Sequence, residues 1–537
     1  MEEETRRQGD KETRRQGDRE TGGQSPPLPL SPSHCLPVSL SIASALLLLA
    51  VLVLGRLWGA PTTAQAAPAG DAEAGRQVYE ERCAYCHGLE GDGAGAGAEV
   101  LHPRPRDFRR GLYKIRTTPS GAVPTDEDLL RVIRLGMHGT SMPGWDGVLT
   151  EEQQGDVVAY IKTFSRRFAR GAPEPITFGD PIPSSPESIA RGRELYFGPL
   201  ECFKCHGQAG RGDGPSALEL EDDFGFPIVP ANLTRSWSFR GGDSPADIVR
   251  TFMTGMSGTP MPSYEGQMTE EDAWHLANFV RSLSPEEKPE VKAALVARRV
   301  EGPLPTTPDD PAWDQTEAFF YPLVGQIMQA PRWFIPSIDA ITVRAVYNDE
   351  ELSLLLAWDD RSENRVPGGD TAVDSVAVQF PMVIPEGTER PYFLEGDPRH
   401  PVNIWHWQAD GDGLEELSAG GLGTTEPQEA ASQGLTGGSI YQDGQWQLVI
   451  KRALVSDDPR NDIQFESGRF IPIAFSAWDG QNGEEDAHRA VSTWYLLFLE
   501  PVTSRSRWLL VPVAMAFTGI LEGLLVWWVR RGAAAES

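Results

Sequence analysis

The sequence predicts a multidomain chain: two all-α domains, then an all-β sandwich, with an N-terminal signal or anchor segment and one C-terminal transmembrane helix. Three observations predict it. A segment of about a hundred residues occurs twice (71–168 and 188–284), each copy carrying one Cys-x-x-Cys-His. From 313 to 501 the chain turns to short alternating or apolar runs separated by turn residues, which read as strands. Apolar runs long enough for export or membrane insertion stand near both ends.

Residues 1–35 repeat Glu-Thr-Arg-Arg-Gln-Gly-Asp at 4–10 and 12–18. The segment is charged and almost free of apolar residues, so it has nothing with which to form a core. It is expected to be a low-complexity tail or the product of a start placed too far upstream. An apolar run from 36 to 57 follows, then Ala64-Gln-Ala66, a small-residue cleavage pattern. Residues 36–67 therefore read as a signal peptide or an uncleaved anchor, and the chain beyond as exported.

The two copies share their chemistry. Cys83-Ala-Tyr-Cys86-His87 and Cys202-Phe-Lys-Cys205-His206 are the attachment signature of c-type haem: each thiol forms a thioether to a haem vinyl group, and the adjoining histidine faces the iron. A metal site or disulfide would need no such histidine. Each copy also offers a second axial ligand in a Met-Pro dipeptide, Met142 and Met261, each 55 residues past its histidine (87 to 142, 206 to 261). Met137 and Met256 also match each other, but at helix ends, where packing is the simpler reading. His/Met ligation raises the potential and leaves no open position, which points to electron transfer.

Around these ligands each copy carries Gly-x-x-x-Tyr before the haem motif (Gly75/Tyr79, Gly192/Tyr196) and Gly-Asp-Gly after it. Each closes with a helix opened by Thr150 or Thr269. Thr150-Glu-Glu-Gln153 is a capping box, and Thr269-Glu-Glu-Asp272 a weaker form of one. Tyr160 and Phe279 hold equivalent places in the last helices, where they are expected to pack on the first helix. Together these features resemble the class I cytochrome c fold twice over. The resemblance implies two covalent haems c, with iron ligands His87 and Met142, His206 and Met261. Proline-rich connectors (169–187 and 284–311) read as semi-rigid spacers.

The sandwich region carries Trp358-Asp-Asp360, Asp374-Ser-Val-Ala-Val-Gln-Phe-Pro381, Pro391-Tyr-Phe-Leu-Glu-Gly-Asp397, Val402-Asn-Ile-Trp-His-Trp407 and Phe475-Ser-Ala-Trp-Asp-Gly480. These resemble the haem b-binding gamma subunit of type II molybdenum enzymes, the group of ethylbenzene dehydrogenase, dimethylsulfide dehydrogenase, chlorate reductase and selenate reductase. The resemblance implies one haem b exchanging electrons with an iron–sulfur chain in a partner of a molybdopterin enzyme. That family ligates haem b with Met and Lys, and the methionine of its Met-Gly-Asp segment is Glu395 here. The remaining candidates are Met328 and Met382, the only methionines of the domain, and Lys451, its only lysine. His400, His406 and His488 are fallback ligands.

Residues 508–529 are an apolar run flanked by Arg505, Arg507, Arg530 and Arg531, with Trp527 and Trp528 as interfacial anchors. At ~1.5 Å per residue the run spans roughly 33 Å, enough for a bilayer. With exported haem domains, the C-terminus faces the cytoplasm and the bulk of the chain lies on the periplasmic side of the cytoplasmic membrane.

The net charge of −29 excludes nucleic acid as a partner and suits docking to basic redox proteins. Four of the five cysteines serve the haem motifs, so there is no disulfide framework. No Ser/His/Asp set, P-loop or open metal site argues for catalysis by the chain itself. The expected function is a membrane-anchored electron-transfer subunit, passing electrons between a molybdenum enzyme and a soluble cytochrome or oxidase. Two alternatives stay open: a carbohydrate- or surface-binding module fused to cytochromes, with some of its fifteen tryptophans stacking on sugars, and a cytochrome component of a respiratory oxidase.

Overall fold

The computed structural model describes residues 70–387, 389–411, 413–501 and 515–524. The expected tail (1–35), the signal or anchor (36–67) and all of 508–529 except 515–524 lie outside the described residues. Residues 515–524 are helical, with Met515, Phe517, Ile520, Leu521 and Leu524 exposed. Among the described residues no helix is long and apolar enough to cross a membrane.

The first haem domain is built from α1 (Ala72–Arg82), α2 (Ala84–His87), α3 (Asp126–Leu135) and α4 (Glu151–Thr163). The second repeats the order with α5 (Pro186–Phe197), α6 (Phe203–His206), α7 (Pro245–Thr254) and α8 (Glu270–Ser282). The Gly-x-x-x-Tyr pair has a separate task for each member. A Cβ on Gly75 would lie 1.9 Å from the Asp156 carbonyl oxygen, and one on Gly192 2.1 Å from that of His275. Only glycine lets the first and last helices of each domain cross so closely. Tyr79 and Tyr196 are buried, and each donates its hydroxyl proton at 2.8 Å to the carbonyl of the glycine after the haem histidine (Gly88, Gly207). Tyr160 and Phe279 pack edge-on against these tyrosine rings at 5.3 and 5.2 Å. Thr150 and Gln153 form both arms of their capping box, whereas Asp272 only donates its N–H to Thr269 and sends its carboxylate to Arg191. A further box, Thr125 with Asp128, opens α3.

The sandwich has two layers. One runs β10 (Thr436–Gln442), β11 (Gln445–Ala453), β5 (Glu351–Asp359), β4 (Ala340–Tyr347), with β2 (Phe319–Pro322) also on β4. The other runs β14 (Tyr495–Leu499), β12 (Phe470–Trp478), β6 (Ser375–Pro381), β7 (Val402–Gln408), β8 (Leu414–Ala419), β9 (Glu426–Pro427), with the short β13 (Ala490–Val491) joining β12 to β3 (Val324–Gly325). The layers meet through β1 (Ala294–Arg299), which pairs in parallel with β14 over 294–297 and with β4 over 298–299. This strand lies in the proline-rich stretch read above as a connector.

Between the layers Trp407 packs edge-on against Trp358 at 5.8 Å and Trp446 at 4.9 Å. Trp358, Trp405, Trp407 and Trp446 are all buried in the core, so none of the four is free to stack on a sugar. The outer face of β5 and β11 is covered as well: Leu355 and Val449 pack with Leu304 and Trp313, the latter in a 3-10 turn at Pro311–Gln315. Burial on both faces explains the continuous apolar run Leu354-Leu-Leu356, where an open sheet would alternate.

Candidate electron-transfer site

Each haem motif sits on a single helical turn whose end is fixed by a glycine with positive φ, Gly88 (76°) and Gly207 (83°). The chain then turns back so that the N–H of Gly93 reaches the His87 carbonyl, and that of Gly212 the His206 carbonyl, both at 2.9 Å. His87 Nδ1 lies 3.2 Å from the Arg106 carbonyl oxygen, and His206 Nδ1 lies 3.0 Å from that of Ala231. A carbonyl only accepts, so Nδ1 carries the proton and Nε2 keeps its lone pair for a metal. Burial pushes both imidazole pKa values down, favouring the neutral, ligating form.

The two methionines of each domain are tied into one turn. The Met137 N–H donates to the Met142 carbonyl at 3.1 Å; Thr140 Oγ1 donates to the Met137 carbonyl and accepts from the Met142 N–H. The same bonds recur with Met256, Thr259 and Met261. In the first domain Cys83, Cys86, His87, Met137 and Met142 line one cavity of about 170 Å³. In the second, Cys202, Cys205, His206, Met256 and Met261 line one of about 420 Å³. Two thiols, a neutral imidazole with a free Nε2, and a thioether around one cleft fit a covalent haem with His/Met iron. That group supplies reversible one-electron redox chemistry. These residues would hold it and set its charge environment.

The larger cavity has walls from all three folded parts: Gly139 of the first haem domain, the second domain's own residues, and Asp339, Asp359, Asp360 and Asp479 of the sandwich. Asp359 is the hinge of that contact. It accepts from Arg211 Nε at 3.1 Å, Asn232 Nδ2 at 2.8 Å and Gln445 Nε2 at 3.0 Å, and pairs with Arg235 at 2.8 Å. Burial raises its pKa, but Arg235, the Gln445 hydrogen bond, Arg211 and the Asn232 hydrogen bond together hold it below the usual carboxylate range. The haem domains are locked to each other by Arg116, fully buried, which donates to the Thr254 and Gly255 carbonyls at 2.6 and 3.2 Å, and by the Arg131–Asp247 pair at 2.7 Å. Of these contacts between domains only Asp359 stood in a motif that the sequence offers, Trp358-Asp-Asp360. Its neighbour Asp360 converges with Asp479 of Trp-Asp-Gly and Asp374 of the Asp374–Pro381 run, all buried, with carboxylate oxygens within 4.8 Å. Burial, with repulsion from Asp479 and Asp374, drives the Asp360 carboxyl well above its ordinary range.

The candidates for haem b are not brought together. Lys451 lies on the outer face of β11, ion-paired to Glu351 at 2.9 Å. Met328 follows β3 and is 58% exposed; Met382 is buried just beyond β6, its N–H on the Pro401 carbonyl. Glu395, where the family methionine would stand, has φ of 58° and a buried ion pair with Arg489 at 2.6 Å, and accepts from the Gly423 N–H. His400 is tied to Asp397, His406 is edge-on to Trp478, and His488 stacks on Trp333. A Met/Lys-held haem does not fit these side-chain positions.

Residues 70–161 match the family model of cytochrome c oxidase, cbb3-type, subunit III; residues 189–284 that of cytochrome c; and residues 310–438 that of ethylbenzene dehydrogenase. The chain is 34% identical over 192 residues to a putative respiratory nitrate reductase heme subunit of Haloferax mediterranei, covering 36% of this chain and 67% of that protein. It is 36% identical over 162 residues to the chlorate reductase subunit gamma of Ideonella dechloratans, covering 29% of this chain and 64% of that one, just under two thirds of the relative's length. Among solved structures, a chain of the Kuenenia stuttgartiensis reducing HAO-like protein complex is 45% identical, with a TM-score of 0.40, over 41% of this chain and all of that one. The protein belongs to the family of haem-carrying gamma-type subunits of respiratory reductases, with two cytochrome c domains preceding its ethylbenzene dehydrogenase-type sandwich.

Proposed function

We propose that this chain is an exported, membrane-anchored subunit that carries electrons between a molybdenum oxidoreductase and the respiratory chain through two haems c. As a gamma-type subunit it transfers electrons and does not catalyse the substrate reaction. The observation that carries the reading is the second haem cavity, walled by the sandwich on one side and by the first haem domain on the other. Electrons handed over at the sandwich reach the haem of His206 first, then that of His87, then an outside cytochrome or oxidase. The sandwich is the docking body for a molybdopterin subunit and its iron–sulfur partner. The apolar run 508–529 anchors the chain, with residues 71–500 on the periplasmic side.

The test is purification from detergent-solubilised membranes. Two haems c per chain, with molybdenum and non-haem iron co-eluting in fixed ratio, are expected. A preparation with both haems and no molybdenum overturns the partner. If copper and a high-spin haem co-elute in its place, the chain is an oxidase component, the reading that the oxidase-type family match of 70–161 favours. Haem b, which the family resemblance implies, is tested in the same material: the scattered positions of Lys451, Met328 and Met382 predict no acid-acetone-extractable haem. One extractable haem per chain, lowered by Lys451→Ala, reverses that expectation.

The axial assignment gives a further prediction. Met142→Ala or Met261→Ala is expected to remove about half of the Met–iron charge-transfer absorption and to lower one of two midpoint potentials, since thioether ligation favours the reduced iron. An unchanged spectrum transfers the assignment to Met137 and Met256, which line the same cavities.

A further inference from the structure

The haem cavities share one wall, and it is cationic. Arg240, just after the turn that follows Ser236–Ser238, lines both. Arg106 and Lys114 line only the first cavity, and Arg361 of the sandwich only the second. Other arginines around the second domain are matched: Arg211 and Arg235 with Asp359, Arg131 and Arg250 with Asp247. Among the described residues no carboxylate forms an ion pair with Arg240, Arg106, Lys114 or Arg361. Asp222 is near enough to influence Arg106 and Lys114 without pairing with either. Burial, with the repulsion of Arg240 and Arg106, pushes the Lys114 ammonium down to about 7, and burial lowers Arg240. Desolvated cations without counter-charges are costly unless an anion completes them.

A haem brings two carboxylates of its own. The acidic groups on the sandwich side of the larger cavity offer them no partner: Asp339 and Asp359 are already paired with Arg235, and burial drives the Asp360 carboxyl above its ordinary range. Their favourable direction is toward Arg240. Resting on the reading of two haems c, we infer that Arg240 is a counter-ion shared by the propionate carboxylates of both haems, coupling the two electrostatically through one guanidinium. Lys114 and Arg106 complete the charge balance of the first haem alone, and Arg361 that of the second. Arg240 is thus a positioning residue: it touches no iron, yet it sets both potentials together.

A cation beside a haem stabilises the reduced form, which carries one positive charge fewer. Arg240→Gln should therefore lower both midpoints in a redox titration of the full holoprotein. At each wild-type midpoint the ratio of reduced to oxidised haem should fall several-fold. Arg240→Lys should restore most of the shift, and Lys114→Gln should lower one midpoint only. The haem count by pyridine haemochrome and the Met–iron charge-transfer band, both unchanged, certify that each variant is folded and ligated. A shift confined to one haem, or none, with two haems present, overturns the inference. A wild-type chain with fewer than two haems c fails the underlying reading instead, and the inference falls with it.

Discussion

Replacing Cys202 and Cys205 by alanine is expected to leave one covalent haem per chain and to unfold the second haem domain. The same change at Cys83 and Cys86 also leaves one haem, with a smaller structural loss. Both effects follow from the thioether bonds and from what walls each haem site. The cavity of the second domain is also walled by the sandwich and by the first haem domain, so loss of its haem loosens contacts of all three folded parts, whereas that of the first domain is lined almost wholly by its own residues. The measurement is haem staining of the denatured chain together with far-ultraviolet circular dichroism. Equal losses of helix from the two double variants would sink this argument from the walls. Covalent haem at full yield in a variant lacking all four cysteines would sink the haem c assignment itself. Loss of the second haem also removes the filling between that domain and Asp359, Asp360 and Asp479, so hydrogen exchange along the end of β5 should quicken in the Cys202/Cys205 variant alone.

The candidate haem sites were legible in the sequence because their chemistry is local. Cys-x-x-Cys-His occupies one helical turn, and the Met-Pro turn repeats at a fixed distance. Gly75 and Gly192 were legible as motif members, although the need for a missing Cβ shows only when the last helix crosses them. The cationic wall was not legible. Arg240 is one arginine among many, and it acquires its place only when it packs against first-domain residues 79 to 158 positions before it in the sequence. Lys451 shows a different limit. The run Leu448-Val-Ile450 reads as one apolar surface, and a single lysine after it looks buried. In the fold Leu448 and Ile450 face the core while Val449 faces the second cluster around Trp313, so Lys451 shares the outer face and meets Glu351. The residue that enters the interior is its neighbour, Arg452.

That neighbour carries the largest expected stability effect in the sandwich. Arg452 of β11 is 2% exposed and reaches across to the other layer, 3.1 Å from Glu416 of β8 and 3.5 Å from Asp462, with Trp405 and Phe465 rings at 5.7 and 5.8 Å. The Glu416 contact is close without the alignment of a hydrogen bond, and both Glu416 oxygens lack a hydrogen-bond partner, so charge attraction is what Arg452 supplies. Arg452→Met should cost about 3–5 kcal/mol, because it strands two buried carboxylates. Burial raises the Glu416 carboxyl to about 7, with Arg452 pulling it down and Asp462 pushing it up. A carboxyl raised above its unfolded value near 4.5 binds more protons folded than unfolded, so its contribution to stability falls as pH rises between those values. Removing Arg452 raises Glu416 further and widens that window. The deficit of Arg452→Met should thus be larger at pH 8 than at pH 5, where a proton does the work of the cation. Thermal unfolding followed by tryptophan fluorescence, which reports mainly on the sandwich core, measures it. Glu416→Gln combined with Arg452→Met should recover part of the loss at pH 8 and flatten its pH dependence. A deficit independent of pH would mean that Arg452 matters for packing against Trp405 and Phe465 and not for charge.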